Sequence, residues 1–209
     1  MSHIVVEGPI GVGKTTLTKR IAKEFGFDEL LEQPAENPFL ERFYEQPDQY
    51  AMQTQLYFLF QRVKQLRGLS QTDLFSSGVV SDFMLGKDPL FAELTLEADE
   101  LDLYDEVYQA LSPQVPVPDL VVYLQASTET LQRRISRRGV EYEQQIHPDY
   151  LKDLSDTYSR YFLNYYASPL LIVNAETLNF IENQDHFNLL IDEIRKGKPG
   201  RNYFNPLVD

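Results

Sequence analysis

Ile4-Val5-Val6-Glu7-Gly8-Pro9-Ile10-Gly11-Val12-Gly13-Lys14-Thr15-Thr16 is an apolar run, a glycine-rich turn and the start of a helical pattern. Residues 8–15 fit G-x-x-x-x-G-K-[ST], which needs a strand before it and a helix after it. Both are expected here. Glycines let the backbone curl so that successive N–H groups converge on an anion, and the helix N-terminus adds its positive end. Gly8, Pro9, Ile10, Gly11, Val12, Gly13, Lys14, Thr15 and Thr16 are therefore read as a phosphate cradle for a nucleotide. Lys14 is placed to reach the β- and γ-phosphates, and the Thr15 hydroxyl to ligate Mg²⁺. The loop alone does not separate GTPases, transporters, motor ATPases and small-molecule kinases. An N-K-x-D guanine signature is absent from the sequence.

Outward from the loop, strands and helices alternate. Lys14 to Phe25 reads as a helix stopped by Gly26, Pro38 to Phe43 as a short one, and Pro47 to Leu69 as a long one. The long helix carries Met52, Leu56, Leu59, Phe60, Val63 and Leu66 at helical spacing. Gly78 to Asp82 is a strand, and Leu101 to Leu111 marks a helix. Leu120 to Leu124 is a continuous apolar strand, as expected where both faces of a parallel sheet are covered. Helices follow over about Glu129 to Arg138 and Pro148 to Tyr166, then a strand over Leu170 to Val173 and a last helix carrying Phe187 to Ile194. The expected fold is α/β: a three-layer, P-loop NTPase-type parallel sheet with helices on both faces and a helical lid. One kinase-sized domain spans 1–209, with the lid at about 133–147 and a loosely attached, Gly/Pro-punctuated tail at about 196–209.

The 209 residues are enough to bury a sizeable core, and 43% hydrophobic with 24% charged residues is a globular balance. A net charge of −13 repels a nucleic-acid backbone, so no polynucleotide partner is expected. No apolar run is long enough to span a bilayer, no signal peptide is read at Met1-Ser2-His3, and cysteine is absent. These features fit a cytoplasmic protein without a disulfide scaffold or cysteine-ligated zinc.

Ligands of open parallel sheets sit beyond the carboxyl ends of the strands. Glu32 follows Leu30-Leu31 and Asp82 follows Val79-Val80-Ser81, so both acids are candidates for hydroxyl activation and Mg²⁺ binding. Taken singly, each is better explained as one exposed acid among 32; it is the pair beside the phosphate loop that makes them candidates. Arg133, Arg134, Arg137 and Arg138 crowd one helix end, where two of them serve the helix dipole and the others are candidates to clamp a phosphoryl group. Gln55 and Arg62 share one face of the long helix, with the apolar residues assigned to the opposite side. The Gln55 amide can read a nucleobase edge, and Tyr44, Tyr57, Phe58 and Phe91 are aromatics for stacking or for core packing.

Glu7 to Thr16, Glu36-Asn37-Pro38-Phe39-Leu40 with Phe43-Tyr44, Gln55 to Leu59 with Arg62, Phe91-Ala92, and Arg134-Ile135 with Arg138-Gly139 stand in a specific order. In that order the chain resembles the deoxynucleoside kinases, most of all the bacterial deoxyguanosine/deoxyadenosine kinase branch, over about Ile4 to Ile194. The resemblance implies that Glu32 is the general base at the acceptor 5′-hydroxyl and that Asp82 lies on the Mg²⁺ side. It implies that Tyr44 and Glu143 hold the sugar 3′-hydroxyl, Gln55 reads the base and Phe91 stacks on it. Arg134 and Arg138 become lid arginines on the donor phosphates, and a homodimer is implied. Three departures stand out. Phe83 and Met84 replace an Arg-Ser pair found in many relatives, Val140 replaces a further lid arginine, and the segment from Asp82 to Phe91 is one residue short of the animal enzymes. That last change leaves either Asp88 or Lys87 as the partner of Arg62 at the base.

The expected reaction is transfer of the ATP γ-phosphate to the 5′-hydroxyl of a deoxyribonucleoside in nucleotide salvage, with Mg²⁺. The polar pocket at Arg62 favours a purine or deoxycytidine. Two other readings share the loop: a nucleoside monophosphate kinase such as a thymidylate kinase, which needs a basic contact for its acceptor, and a non-catalytic nucleotide-binding regulatory module.

Overall fold

The apolar runs form strands whose alternate residues face opposite sides, and both sides are covered. The computed structural model describes residues 2–69, 77–176, 178–180 and 182–206. Its strands are β1 (Ser2–Glu7), β2 (Asp28–Leu30), β3 (Gly78–Ser81), β4 (Leu120–Gln125), β5 (Leu170–Asn174) and β6 (Arg201–Phe204). Its α-helices are α1 (Lys14–Phe25), α2 (Leu40–Glu45), α3 (Pro47–Leu69), α4 (Asp88–Thr95), α5 (Ala98–Leu111), α6 (Thr128–Arg138), α7 (Pro148–Leu163) and α8 (Gln184–Arg195). The six strands run parallel in the order β2-β3-β1-β4-β5-β6. β1 is therefore central, and the chain moves first to one side of it and then to the other. The carboxyl ends of β1, β2 and β3 open onto one cleft, as an α/β sheet directs.

Ile4 and Val6 of β1 pack with Leu17 and Ile21 of α1 and with Leu190 and Ile191 of α8. Val5 faces the other way, towards Leu154, Tyr158 and Phe162 of α7. Burial on both faces is why these strands read as unbroken apolar runs rather than as alternation. A further cluster joins Leu59, Val63 and Leu66 of α3 to Phe83, Leu85 and Tyr104. α1 ends as the sequence predicts: Gly26 takes φ 65° and its N–H bonds to the Ala22 carbonyl.

Four features differ from the sequence reading. The tail is not loose at 201–204, because those residues pair in parallel with β5 and extend the sheet; residues 207–209 lie outside the described ones. The short helix starts at Leu40 rather than at Pro38, after a 3₁₀ turn over Pro34–Glu36. α4 was not anticipated, since its apolar residues are too few in so short a stretch to show a period. α3 does not divide into polar and apolar sides. Gln55, Leu59, Arg62 and Leu66 share its buried face, while Phe60 is 54% exposed.

Among the described residues, no helix is long and apolar enough to cross a membrane.

Candidate active site

The glycine-rich turn links β1 to α1 and takes backbone angles that only glycine adopts readily. Gly8, Gly11 and Gly13 have φ of 149°, 84° and 104°. At Gly11 the limit is also one of space, because a Cβ would come within 2.9 Å of the Leu131 carbonyl of α6. Lys14 folds back over this turn, its Nζ donating to the carbonyls of Gly8 at 2.8 Å and Pro9 at 3.2 Å. Burial, reinforced by the charge of Lys87, lowers its ammonium to about 8.

The acids at the strand ends converge beside this turn. Asp82, just past β3, accepts from the Thr15 hydroxyl at 2.5 Å and from the Glu32 backbone N–H at 2.7 Å. Thr15, Asp82 and Glu32 are thus one hydrogen-bonded unit, which accounts for the spacing of the two acids. Arg62 of α3 donates to Glu32 through Nε at 2.7 Å and through Nη2, and through Nη1 to Asp88. Lys87 reaches the two Glu32 oxygens at 3.2 and 3.3 Å. Burial alone would raise the Glu32 carboxyl, but Arg62 and Lys87 overcome it and hold the group down at about 2. Burial wins at Asp88, which is pushed up to about 6 despite Arg62.

The register between Asp82 and Phe91 resolves as a division of labour. Lys87 ends the 3₁₀ turn Leu85–Lys87 and lines the cleft, whereas Asp88, at the start of α4, lies behind Arg62 and is 1% exposed. The expectation that Asp88 faces the base directly is corrected in this respect: it pairs with Arg62 from beneath. Phe83 points into the apolar cluster under α3, so position 83 contributes nothing to the cleft.

The cleft itself encloses about 890 Å³, its open mouth included. Tyr44, Gln55, Phe58, Arg62, Phe91, Arg138 and Glu143 all line it, together with Lys14, Thr15, Glu32 and Asp82. The Gln55 amide is oriented by Thr95, to whose hydroxyl it donates at 3.2 Å while that hydroxyl donates to the Phe91 carbonyl at 2.7 Å. Phe58 lies under the Arg62 guanidinium, 4.7 Å away. Tyr57 stays out of the cleft and packs edge-on with Phe39.

The lid residues split. Arg138 forms an ion pair with Glu143 over the cleft. Arg134 is tied to the carbonyls of Val12 at 3.2 Å and Ala175 at 2.8 Å, so it braces the lid helix against the phosphate turn and does not line the cleft. Arg133 bonds to Thr130 and Arg137 pairs with exposed Glu182, in keeping with a helix-end role for these two.

Several site residues escaped the sequence reading. Glu7 closes β1 and accepts from Met84 N–H, Gly8 N–H and the Tyr158 hydroxyl. The rule that selected Glu32 and Asp82, an acid after an apolar strand, also fits Glu7. Tyr142, Tyr150 and Tyr158 line the cleft as well. Tyr158 falls within the helix expected over Pro148 to Tyr166, where a phenol on an apolar face is indistinguishable from core.

Comparison with known proteins follows the same outline. Residues 4–197 match the family model described as deoxynucleoside kinase. A deoxyguanosine kinase of Bacillus subtilis is 33% identical over 198 residues, covering 92% of this chain and 96% of the relative. A deoxyadenosine/deoxycytidine kinase of the same organism is 30% identical over 201 residues, covering 92% and 91%. Among solved structures, deoxyadenosine kinase from M. mycoides with the products dCMP and a flexible dCDP superposes with a TM-score of 0.82 at 26% identity, covering 93% of this chain and 99% of that one. The same enzyme with bound dATP gives 0.82 as well.

Proposed function

The chain belongs to the deoxynucleoside kinase family, and from that premise we propose that it transfers the γ-phosphate of ATP to the 5′-hydroxyl of a deoxyribonucleoside. The observation that carries the reading is the Thr15–Asp82–Glu32 unit, which joins the phosphate turn to a clamped carboxylate on the wall of an aromatic cleft. The hydroxyl oxygen attacks the γ-phosphorus, the bond to the β-phosphate oxygen breaks, ADP leaves, and the hydroxyl proton passes to Glu32. A carboxylate held at about 2 is ionised throughout. In a loose transition state the proton departs late, so Glu32 acts first by orienting the hydroxyl and only then by taking its proton.

On the acceptor side, Gln55 and Phe91 bind the base and Tyr44 with Glu143 the 3′-hydroxyl, roles supported by their shared position on the cleft wall. Arg138 and Lys14 serve the donor phosphates. Arg134 serves them indirectly, by bracing the lid. Thr15 and Asp82 offer a hydroxyl and a carboxylate oxygen in contact, a hard donor pair suited to Mg²⁺. When bound there, the ion would neutralise phosphate charge.

The buried Arg62–Asp88 pair makes the base end polar, which favours a purine or deoxycytidine over thymidine. An acceptor already carrying a phosphate is disfavoured, because Arg62 on the acceptor side is taken by Glu32 and Asp88. A homodimer is part of the proposal, to be tested by sedimentation. A cytoplasmic location in nucleotide salvage fits the cysteine-free chain. A coupled ADP-release assay across four deoxynucleosides and their monophosphates tests the whole reading. Turnover is expected with deoxyadenosine, deoxyguanosine or deoxycytidine; turnover with monophosphates alone would overturn it, and tight nucleotide binding without transfer would favour a regulatory module.

A further inference from the structure

Lys87 is buried to 2% exposure, a rare position for a lysine unless it is paired. Its ammonium sits 3.2 Å from Glu32 Oε1 and 3.6 Å from Glu7 Oε1. Neither acid needs it for satisfaction. Glu7 already accepts two backbone N–H bonds and the Tyr158 hydroxyl, and Glu32 already accepts two from Arg62. An ammonium has three donors, rotatable on a long stem; one is given to Glu32, and Glu7, 3.6 Å away, is an ion-pair neighbour beyond hydrogen-bond reach.

The other cations of the cleft are committed elsewhere. Arg62 is fixed between Glu32 and Asp88, and Arg138 is paired with Glu143. Lys14 and Lys87 both line the cleft, and their positive charges act on one another. Glu7, Glu32 and Asp82 offset part of this repulsion, and a phosphoryl group entering between the two ammonium groups would be drawn to both. On the reading given above, the group that enters between the phosphate turn and Glu32 is the phosphoryl group in transit.

We propose that Lys87 is a catalytic residue, whose ammonium keeps its hydrogen bond to Glu32 and turns a free donor to the phosphoryl group as it passes from ATP to the 5′-hydroxyl. Lys14 then grips the donor side of the group and Lys87 the acceptor side. The placement follows from the chain itself. The 3₁₀ turn over Leu85–Lys87 ends where Asp88 is captured by Arg62, so the preceding side chain is directed at Glu32. No bond to Lys87 forms or breaks, and its proton count is unchanged.

The inference rests on the kinase reading, so wild-type turnover is measured first. Lys87→Met keeps the length and removes the charge; Lys87→Arg keeps the charge. In Lys87→Met, kcat is expected to fall by about 100-fold or more, the loss typical for one donor aimed at a transition state. KM for ATP and deoxynucleoside should change less than about 3-fold; the thermal midpoint should fall in Lys87→Met, because buried Glu7 and Glu32 lose a cation, and fall less in Lys87→Arg. Lys87→Met should also lose the tight binding of ADP, aluminium fluoride and nucleoside together, while keeping that of ADP alone. Lys87→Arg should recover at least about tenfold in kcat, since charge is the active element. A Lys87→Met kcat within about 3-fold of wild type overturns the inference. So does a loss that falls equally on substrate binding and on the thermal midpoint in both variants, which would mark Lys87 as structural. Absence of wild-type turnover with every deoxynucleoside would overturn the kinase reading itself.

Discussion

Glu32 and Gln55 both line the cleft, and each makes a separable prediction. Glu32→Gln keeps the shape of the side chain and removes its charge and its capacity to take a proton. Its kcat is expected to fall by about 10²- to 10⁴-fold, the usual contribution of a positioned acid or base, with ATP affinity by calorimetry within about 3-fold of wild type. Unchanged turnover would remove Glu32 from the mechanism. Gln55→Ala leaves the Thr95 hydroxyl still bonded to Phe91 and removes the amide proposed to read the base. It should raise KM for the deoxynucleoside by about tenfold or more, the equivalent of about 1.4 kcal/mol, and leave ATP binding alone. These two residues were legible in the sequence, one from its place after an apolar run and the other from the family pattern. The choice between Lys87 and Asp88 was not. Both orders fit a loop of that length, and only the 3₁₀ turn and the capture of Asp88 by Arg62 decide which side chain meets the cleft.

Among the elements, α1 was the most legible and the end of the chain the least. α1 has a glycine at each end, both at positive φ. Gly26→Ala tests the C-terminal one cleanly. Nothing lies within 4 Å of the added Cβ, so the cost is purely conformational. About 1 kcal/mol is expected in urea denaturation, with activity unchanged. β6 could not be read because its four residues, Arg201-Asn202-Tyr203-Phe204, lack an apolar run. It is held by its ladder with β5 rather than by burial on both faces. A chain ending at Pro199 should lose on the order of 2–4 kcal/mol, at about 1 kcal/mol for each of a few ladder hydrogen bonds. It should also aggregate more readily, since an apolar strand becomes the edge. Equal stability of the two chains by denaturation would return this segment to the status of a loose tail. α3 was legible in length but not in orientation. Gln55 and Arg62 occupy its buried face because the cleft, not solvent, lies beneath them.

For the whole molecule, the alternation of elements gave the class of fold, but the strand order came from long-range pairing that no local pattern encodes. That pairing creates a pH-dependent joint between β1 and β3. His3 is buried at 7% exposure, and its Nε2 lies 2.9 Å from the Ser81 hydroxyl. Burial lowers its imidazole to about 4, only partly offset by Asp119. The folded chain thus keeps His3 neutral while the unfolded chain protonates it near 6.5. This contribution to stability is complete above pH 6.5 and is lost as pH falls towards 4, amounting to about 2 kcal/mol lost by pH 5. Urea titrations at pH 7.5 and 5 should show His3→Gln losing that much less stability than wild type across the interval. Parallel losses in the two proteins would mean that His3 does not titrate in this window.

The chain has 13 tyrosines and no tryptophan. Tyr44 of α2 and Tyr142 of the 3₁₀ turn Glu141–Gln145 lie with ring centroids 6.0 Å apart and planes 10° from parallel, on the wall of the cleft. One ring belongs to α2 and the other to the 3₁₀ turn that carries Glu143. Stacked phenols couple optically, so their near-ultraviolet circular dichroism depends on the gap between those two parts. The stacked pair is therefore an intrinsic, label-free optical reporter of the gap between α2 and the turn Glu141–Gln145, free of tryptophan background.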